Sequence, residues 1–223
     1  LLDRIERRNS ISQIIQSGEL KNESSLHKGL YDVKQGEHQL KFLISQGVKK
    51  SDNFLELGFG YGRSAVPLIK FLNKGKFSGT EISKKRLQMC KDWISLEKLG
   101  DKEPALVLSR DNFLREFKGQ YFDVVWAQGV LTHMPVEEVR ILLTALKSVM
   151  VKRSRFIFNF GVSQTDDYFN HNVKDFYYSY DFMLALCREH GFDCLVLDEW
   201  HEHLHFGISK DRNMGLCLTV RGN

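Results

Sequence analysis

The chain has 223 residues, of which 42% are hydrophobic and 27% charged, the composition of a globular protein rather than of a disordered or fibrous one. This length predicts one compact domain. The 32 lysines and arginines outnumber the 28 aspartates and glutamates, giving a formal net charge of +4. That excess is too small to indicate a nucleic-acid-binding stripe or a polybasic membrane anchor. Nucleic acid and membrane are therefore not the expected partners.

The cysteines and the apolar runs narrow the class further. Cys90, Cys187, Cys194 and Cys217 stand far apart and form no CxxC pair, so the chain has no zinc-ribbon or redox motif. This spacing predicts reduced thiols and a cytoplasmic location. No apolar run approaches the roughly 20 residues that a membrane-spanning helix needs.

Two helices separated by a polar stretch are predicted at the amino terminus. Isoleucines among charged residues predict an amphipathic helix over 3–17, and a polar, loop-like stretch follows from 17 to 28. A second helix is predicted over 37–46. We accordingly divide the chain into an N-terminal helical or cap segment, 1–36, and one domain, 37–223.

From this point short apolar runs alternate with amphipathic stretches, which is typical of parallel strands joined by crossover helices. The last two strands have no helix between them and predict an antiparallel hairpin. The fold class is α/β, a doubly wound, Rossmann-like, mostly parallel sheet of seven strands with an antiparallel C-terminal hairpin. Strands are predicted at 53–57, 76–82, 105–109, 121–127, 155–160, 193–200 and 214–220, and helices at 63–73, 84–97, 136–150 and 180–190.

A glycine-rich turn, ELGFGYGRS at 56–64, connects the first of these strands to a helix. Glycines let a backbone turn tightly and approach a ligand that a Cβ would repel, and the helix start beyond favours polar or anionic ligand groups. A dinucleotide fingerprint, GxGxxG/A, would need glycine or alanine where Arg63 stands, and the phosphate-binding GxxxxGK[ST] is absent. The turn therefore predicts a different ligand, with an empty structural turn as the alternative.

Glu81 closes the second predicted strand, 21 residues after Gly60. A carboxylate at this position is placed to accept hydrogen bonds from ribose hydroxyls. The alternative is a surface glutamate at a strand end.

Four motifs in order then resemble those of the class I S-adenosylmethionine-dependent methyltransferases. FLELGFGYGRS is similar to the first motif of that family, and GTEIS to its acidic second motif. LSRDNF resembles the segment after the third strand, and YFDVVWAQGVLTHMP the fourth strand with its following loop. The similarity extends over roughly 37–221. It implies S-adenosylmethionine as cofactor and S-adenosylhomocysteine as product.

The resemblance also implies which residues bind this cofactor. The glycine-rich turn would line the methionine moiety, the end of the second strand would bind the ribose, and the segment after the third strand would meet the adenine. The implied residues are Glu56, Gly58, Gly60 and Gly62 for the methionine moiety, Glu81 with Ile82 beside it for the ribose, Asp111, Asn112 and Phe113 for the adenine, and Gln128 near the methionine end.

A hydroxyl acceptor needs a base, and His133 is the first candidate. It follows the fourth strand, at the end of the sheet where ligands bind in open α/β folds. It also lies just before Pro135, which is placed to start a helix, and a helix N-terminus favours a neutral, proton-accepting imidazole. A role in packing or loop structure is the alternative.

The second candidates are His201, His203 and His205 in HEHLHF, which share one face of an extended chain. They could act as a base or contact the acceptor, form a metal site, or line a solvent-facing strand edge; we predict no bound metal. The aromatic-rich segment 161–180 is predicted as a long loop that either closes over the acceptor or lies on the surface.

The acceptor is narrowed by what the sequence lacks. The end of the fourth strand, Ala127-Gln128-Gly129-Val130, has no Asn/Asp-Pro-Pro-aromatic motif, and no Pro-Cys dipeptide supplies a covalent nucleophile. We therefore expect O-methylation of a small-molecule or glycan acceptor with a histidine base. The alternatives are an N-methyltransferase, an RNA methyltransferase, or a cofactor-binding subunit that has no catalytic activity.

Overall fold

A computed structural model describes residues 23–109, 114–165, 167–170, 175–197 and 213–221. Side chains of the first helix are described from residue 33 onward. Within the described part of the chain, no helix is long and apolar enough to cross a membrane.

Within the described residues, nine strands form one sheet that is flanked by helices. The first predicted helix, 3–17, lies outside the described residues. The helices are α1 (Glu23–Ser45), α2 (Ala65–Phe71), α3 (Lys84–Leu96), α4 (Val136–Leu146) and α5 (Tyr180–Glu189), and the strands are β1 (Phe54–Leu57), β2 (Phe77–Glu81), β3 (Ala105–Leu108), β4 (Phe122–Ala127), β5 (Met150–Ser163), β6 (Tyr168–Asn170), β7 (Asp175–Ser179), β8 (Phe192–Leu197) and β9 (Asn213–Val220).

The central strands run parallel in the order β3-β2-β1-β4-β5. Strand β9 pairs antiparallel with both β5 and β8. The predicted α/β class, the parallel sheet and the antiparallel ending are confirmed. The carboxyl ends of these parallel strands lie at one edge of the sheet, where the glycine-rich turn after β1 and the loop after β4 come together.

The helices cover both faces of the sheet. One buried apolar cluster joins the sheet to α1, α2 and α3, and includes Phe42, Leu68 and Trp93. The other joins it to α4 and α5, and includes Leu142 and Met183. Burial on both faces explains why the central strands read as continuous apolar runs rather than alternating ones.

Strand β5 changes its pairing partner along its length, and the sequence does not predict this change. This strand pairs with β9 from Arg155 to Gly161 and with β7 from Gly161 to Ser163. The antiparallel β6–β7 hairpin adds two strands to the seven predicted, in a segment predicted as a loop. A Cβ on Gly161 would lie 2.7 Å from the carbonyl oxygen of Phe176, so glycine is needed for β7 to approach. The hairpin was missed because its strands are largely exposed or half-buried and lack the continuous buried apolar run that marks strands such as β1.

Helix α1 is longer than predicted. It begins at Glu23, so the expected loop over 17–28 is wrong from residue 23 onward, and the predicted helix 37–46 forms only its end. Gln35 and Gln39 are buried polar residues of this helix. Because they are not apolar, the spacing of apolar residues does not reveal the buried face of the helix. The helix passes residues 36 and 37 without interruption, and the division of the chain there stays a prediction.

Helix α4 is shorter than the predicted 136–150. It ends at Leu146, and β5 begins at Met150. Val149 and Met150 are buried in the same cluster as the helix, so they extend its apolar spacing without being helical.

Candidate active site

The glycine-rich turn has a backbone conformation that glycine adopts readily and other residues do not. Gly58, Gly60 and Gly62 have φ angles of +67°, +61° and +105°, the left-handed region that other residues avoid. The turn is held to β2 because Gly58 donates its N–H to the carbonyl of Thr80 at 2.8 Å. No described atom lies within 4 Å of a Cβ built on Gly60. The middle of the turn therefore faces open space.

Glu81 joins this turn to the start of α3. One carboxylate oxygen accepts the Gly60 N–H at 2.9 Å, and the other accepts the Ser83 N–H at 2.9 Å. Arg86 lies 3.7 Å from the second oxygen. The residue is only 1% exposed, so the alternative of a surface glutamate is wrong. A carboxylate has about four acceptor positions, which leaves capacity for further hydrogen bonds beyond these two.

Glu56 is a second buried carboxylate on the same turn. Ser64 donates its hydroxyl to Oε1, whereas Oε2 is buried without a hydrogen-bond partner among the described residues. Burial raises the pKa of Glu56 to about 7, and the Glu81 charge adds to this, against the Ser64 hydrogen bond and the Arg63 charge. The site thus contains a shielded acidic oxygen that a donor or cation would stabilise.

Helix α1 lies directly on the turn. Gln35 Oε1 accepts from Arg63 Nη1 at 2.9 Å, and Gln39 Nε2 donates to Gln128 Oε1 after β4. The other polar atom of Gln39, Oε1, is buried without a partner within the described part of the chain. A Cβ on Gly36 would overlap the Arg63 carbonyl oxygen. Sequence reasoning missed Gln35, Gly36 and Gln39; the available signal was a glycine between two glutamines within a helical pattern.

His133 ends a single 3₁₀ turn, Leu131–His133, that follows β4. Its side chain is 43% exposed, and Nδ1 lies 2.8 Å from Asp175 Oδ1 at the start of β7. Sequence reasoning identified the histidine but not the aspartate, because the strand that carries it was not predicted.

Two further hydrogen bonds fix the loop that carries His133. Asn159 of β5 accepts the Gly129 N–H through Oδ1 at 2.7 Å. Tyr178 of β7 donates its hydroxyl to the Met134 carbonyl at 2.7 Å. The loop is therefore attached to two neighbouring strands.

The structure brings most of the described candidates to one edge of the sheet. Glu56, Gly58, Gly60, Gly62 and Glu81 form the turn and its support, and Gln128 reaches it through Gln39. Ile82, next to Glu81, is 59% exposed. In the described part of the chain no three His, Cys, Asp or Glu side chains group as a cation site. The candidates Asp111, Asn112, Phe113, His201, His203 and His205 lie outside the described residues.

The chain is similar to known methyltransferases. Residues 54–153 match the family described as a methyltransferase domain. Magnesium protoporphyrin IX methyltransferase from Synechocystis PCC 6803, solved with bound S-adenosylmethionine, has a TM-score of 0.64 and 15% identity over 98% of this chain and 96% of that chain. A methyltransferase from Clostridium acetobutylicum ATCC 824 has a TM-score of 0.64 and 10% identity, covering 98% and 99%. The glycopeptide N-methyltransferase MtfA has a TM-score of 0.63 and 14% identity, covering 84% and 90%.

These solved structures share the Rossmann-like fold described above. Together with the matched family and the glycine-rich turn, they define a methyltransferase domain. Residues 54–153 thus match a methyltransferase domain, and the fold over the described residues is that of S-adenosylmethionine-dependent methyltransferases.

Gly36→Ala tests the contact between α1 and the turn. We expect the free energy of unfolding to fall by about 1–3 kcal/mol, because the new methyl group meets a backbone oxygen that cannot rotate away. The gain in helix propensity, about 1 kcal/mol at most, is smaller than this cost. Urea unfolding measures the change. Gly100→Ala is the control because its Cβ meets nothing within 4 Å; equal stability of the two variants would contradict the contact.

Glu56→Gln tests the raised pKa of this carboxyl group. The folded protein keeps the Glu56 proton up to about pH 7, whereas the ordinary pKa of a glutamate, which applies in the unfolded chain, is 4.5. The wild-type free energy of unfolding should therefore fall, relative to the variant, as the pH rises from 4.5 to 7, by about 3 kcal/mol in all. Denaturant unfolding from pH 5 to 8 measures the difference between the two proteins. A difference that does not change with pH would contradict the shift.

Proposed function

We propose that this methyltransferase transfers a methyl group from S-adenosylmethionine to a hydroxyl group of a small-molecule or glycan acceptor, with His133 as the base. The observation that carries the proposal is the half-exposed imidazole of His133 at the carboxyl edge of the sheet, with its Nδ1 side against a carboxylate. This edge is where open α/β sheets bind ligands. S-adenosylhomocysteine is the second product.

The residues of the turn fit the methionine end of the cofactor. The open space at Gly60 leaves room for a ligand against the backbone. The unpartnered oxygens Glu56 Oε2 and Gln39 Oε1 are acceptors that suit an α-ammonium group, which carries three N–H donors. Gln128, held by Gln39, lies at the border between this end of the cofactor and the acceptor.

The ribose and adenine fit the next part of the edge. Glu81 accepts two backbone N–H groups and keeps acceptor capacity for ribose hydroxyls. The exposed side chain of Ile82 offers apolar surface to the adenine ring. Asp111, Asn112 and Phe113 stay predictions for the adenine contact.

When bound, S-adenosylmethionine supplies a methyl group that is attached to a sulfonium. The methyl group is transferred by in-line displacement, with the sulfur as the leaving group. The protein contributes alignment of the acceptor oxygen with that methyl carbon, which can lower the barrier by about 7–11 kcal/mol. His133 would take the acceptor proton on Nε2 as the oxygen is methylated, and S-adenosylhomocysteine would be the leaving group. His201 and His203 stay predictions as further bases or acceptor contacts.

N-methylation is the second candidate. It is supported by the similarity to MtfA, which is a glycopeptide N-methyltransferase. An amine that is already deprotonated needs no base, so this reaction would not depend on His133. RNA methylation has less support, because the net charge is only +4. A cytoplasmic location also stays a prediction; among the described residues the cysteines are free thiols.

Glu81→Ala tests the cofactor site. We expect the variant to lose S-adenosylmethionine and S-adenosylhomocysteine binding in calorimetry, because the ribose acceptor and the support of Gly60 disappear together. Glu81→Gln keeps one acceptor oxygen and should bind weakly, which separates loss of the ligand contact from collapse of the turn. Glu97→Ala, which removes a partly exposed partner of Lys70, is the control. Undiminished affinity in Glu81→Ala would overturn the assignment.

His133→Gln tests the base. Acceptor assays use catechol, 4-nitrophenyl β-glucoside and 2-phenylethylamine as phenol, sugar and amine probes. We expect methylation of a hydroxyl probe by the wild type and a loss of kcat of about 10²–10⁴-fold in the variant, with unchanged affinity for S-adenosylmethionine. His190→Gln, at the end of α5, is the control. Methylation confined to the amine, or turnover that does not depend on His133, would contradict the proposal.

A further inference from the structure

The β6–β7 hairpin brings a carboxylate to the proposed base. Asp175 is the first residue of β7 and pairs with Asn170 across the hairpin. Its Oδ1 lies 2.8 Å from Nδ1 of His133, and its side chain is only 15% exposed. Oδ1 is shielded from solvent and has no hydrogen-bond partner of standard geometry among the described residues, so Nδ1 of His133 at 2.8 Å is the potential donor beside it. A shielded carboxylate oxygen is costly without a donor, so the Nδ1 proton of His133 is its available partner.

Hydrogen bonds at both ends of the contact hold Asp175 and His133 next to each other. Tyr178 of β7 donates its hydroxyl to the carbonyl of Met134, the residue after His133. The N–H of Ser179, at the end of β7, is bound by Asp167 Oδ1 at 2.7 Å. Gly161 leaves the space that β7 occupies beside β5. The loop after β4 that contains His133 is therefore attached to the β6–β7 hairpin.

We propose that Asp175 is a positioning residue for His133. A neutral imidazole carries a proton on only one ring nitrogen, and an ionised carboxylate can only accept a hydrogen bond. The contact therefore fixes the proton on Nδ1 and the orientation of the ring, which leaves the Nε2 lone pair as the proton acceptor. The same division of roles holds a histidine in the correct tautomer in serine hydrolases. This inference rests on the proposed function, in which His133 is the base.

The tautomer of His133 tests the inference directly and needs no acceptor. Long-range ¹H–¹⁵N correlation spectra of the full chain, labelled at its histidines, are recorded at pH 9, where histidine is neutral. His133→Gln assigns the signal by its disappearance. We expect protonated Nδ1 and unprotonated Nε2 in the wild type. Asp175→Ala should shift the population to protonated Nε2, the form that unconstrained histidine prefers.

Two further variants make the outcome decisive. Asp175→Asn keeps the size of the side chain and should also reduce the Nδ1-protonated population, so a folding defect in Asp175→Ala would not prevent the test. Asp181→Ala removes an exposed carboxylate from the adjoining helix α5 and should leave the tautomer unchanged. Protonated Nε2 in the wild type, or a tautomer that is the same in both Asp175 variants, would overturn the inference.

The acceptor assays separate this result from failure of the proposed reaction. An Asp175-dependent tautomer with turnover that does not depend on His133 would refute the base and, with it, the catalytic role of Asp175. Turnover that depends on His133 with a tautomer that does not depend on Asp175 would refute only the positioning role. Asp175-dependent tautomer and His133-dependent turnover together support the inference.

Discussion

The site depends on the buried carboxylate of Glu81 at the end of β2. Each of its oxygens accepts a backbone N–H, one from Gly60 and one from Ser83. The first belongs to the turn after β1 and the second to the start of α3, so one side chain fixes two loops that the chain forms separately. Because Gly60 has a left-handed conformation and no described atom lies within 4 Å of a Cβ built on it, this support holds the backbone of the turn beside open space.

Two buried acidic groups have different tasks on the same turn. Glu81 is satisfied by backbone donors, whereas Glu56 retains a buried oxygen without a partner among the described residues. Burial raises the pKa of Glu56 to about 7, so its charge is poorly stabilised until a donor or cation arrives. Helix α1 closes this side of the site through Gln35 and Gln39. Polar contacts rather than apolar packing thus define the surface that would meet the methionine end of the cofactor.

The proposed acceptor side is formed where β5 extends the sheet to the β6–β7 hairpin. Strand β5 extends beyond its pairing with β9 and supports the short β6–β7 hairpin. Through Asp175 and Tyr178 this hairpin contacts the loop that contains His133. The proposed acceptor side therefore depends on a hairpin that the sequence did not predict.

Local sequence patterns specify the α/β class, the central strands, the glycine-rich turn and the acidic strand end. Buried parallel strands, glycines at 58, 60 and 62, and Glu81 at a strand end each leave a local signal, because backbone conformation or burial restricts the residue type. Tertiary structure alone decided the inward face of α1, the β6–β7 hairpin and the pairing of Asp175 with His133. Gln35 and Gln39 are buried through polar partners, so no apolar period reveals them. Asp175 and His133 are far apart in the chain and meet only because β7 pairs with β5, a relation that no local sequence pattern records.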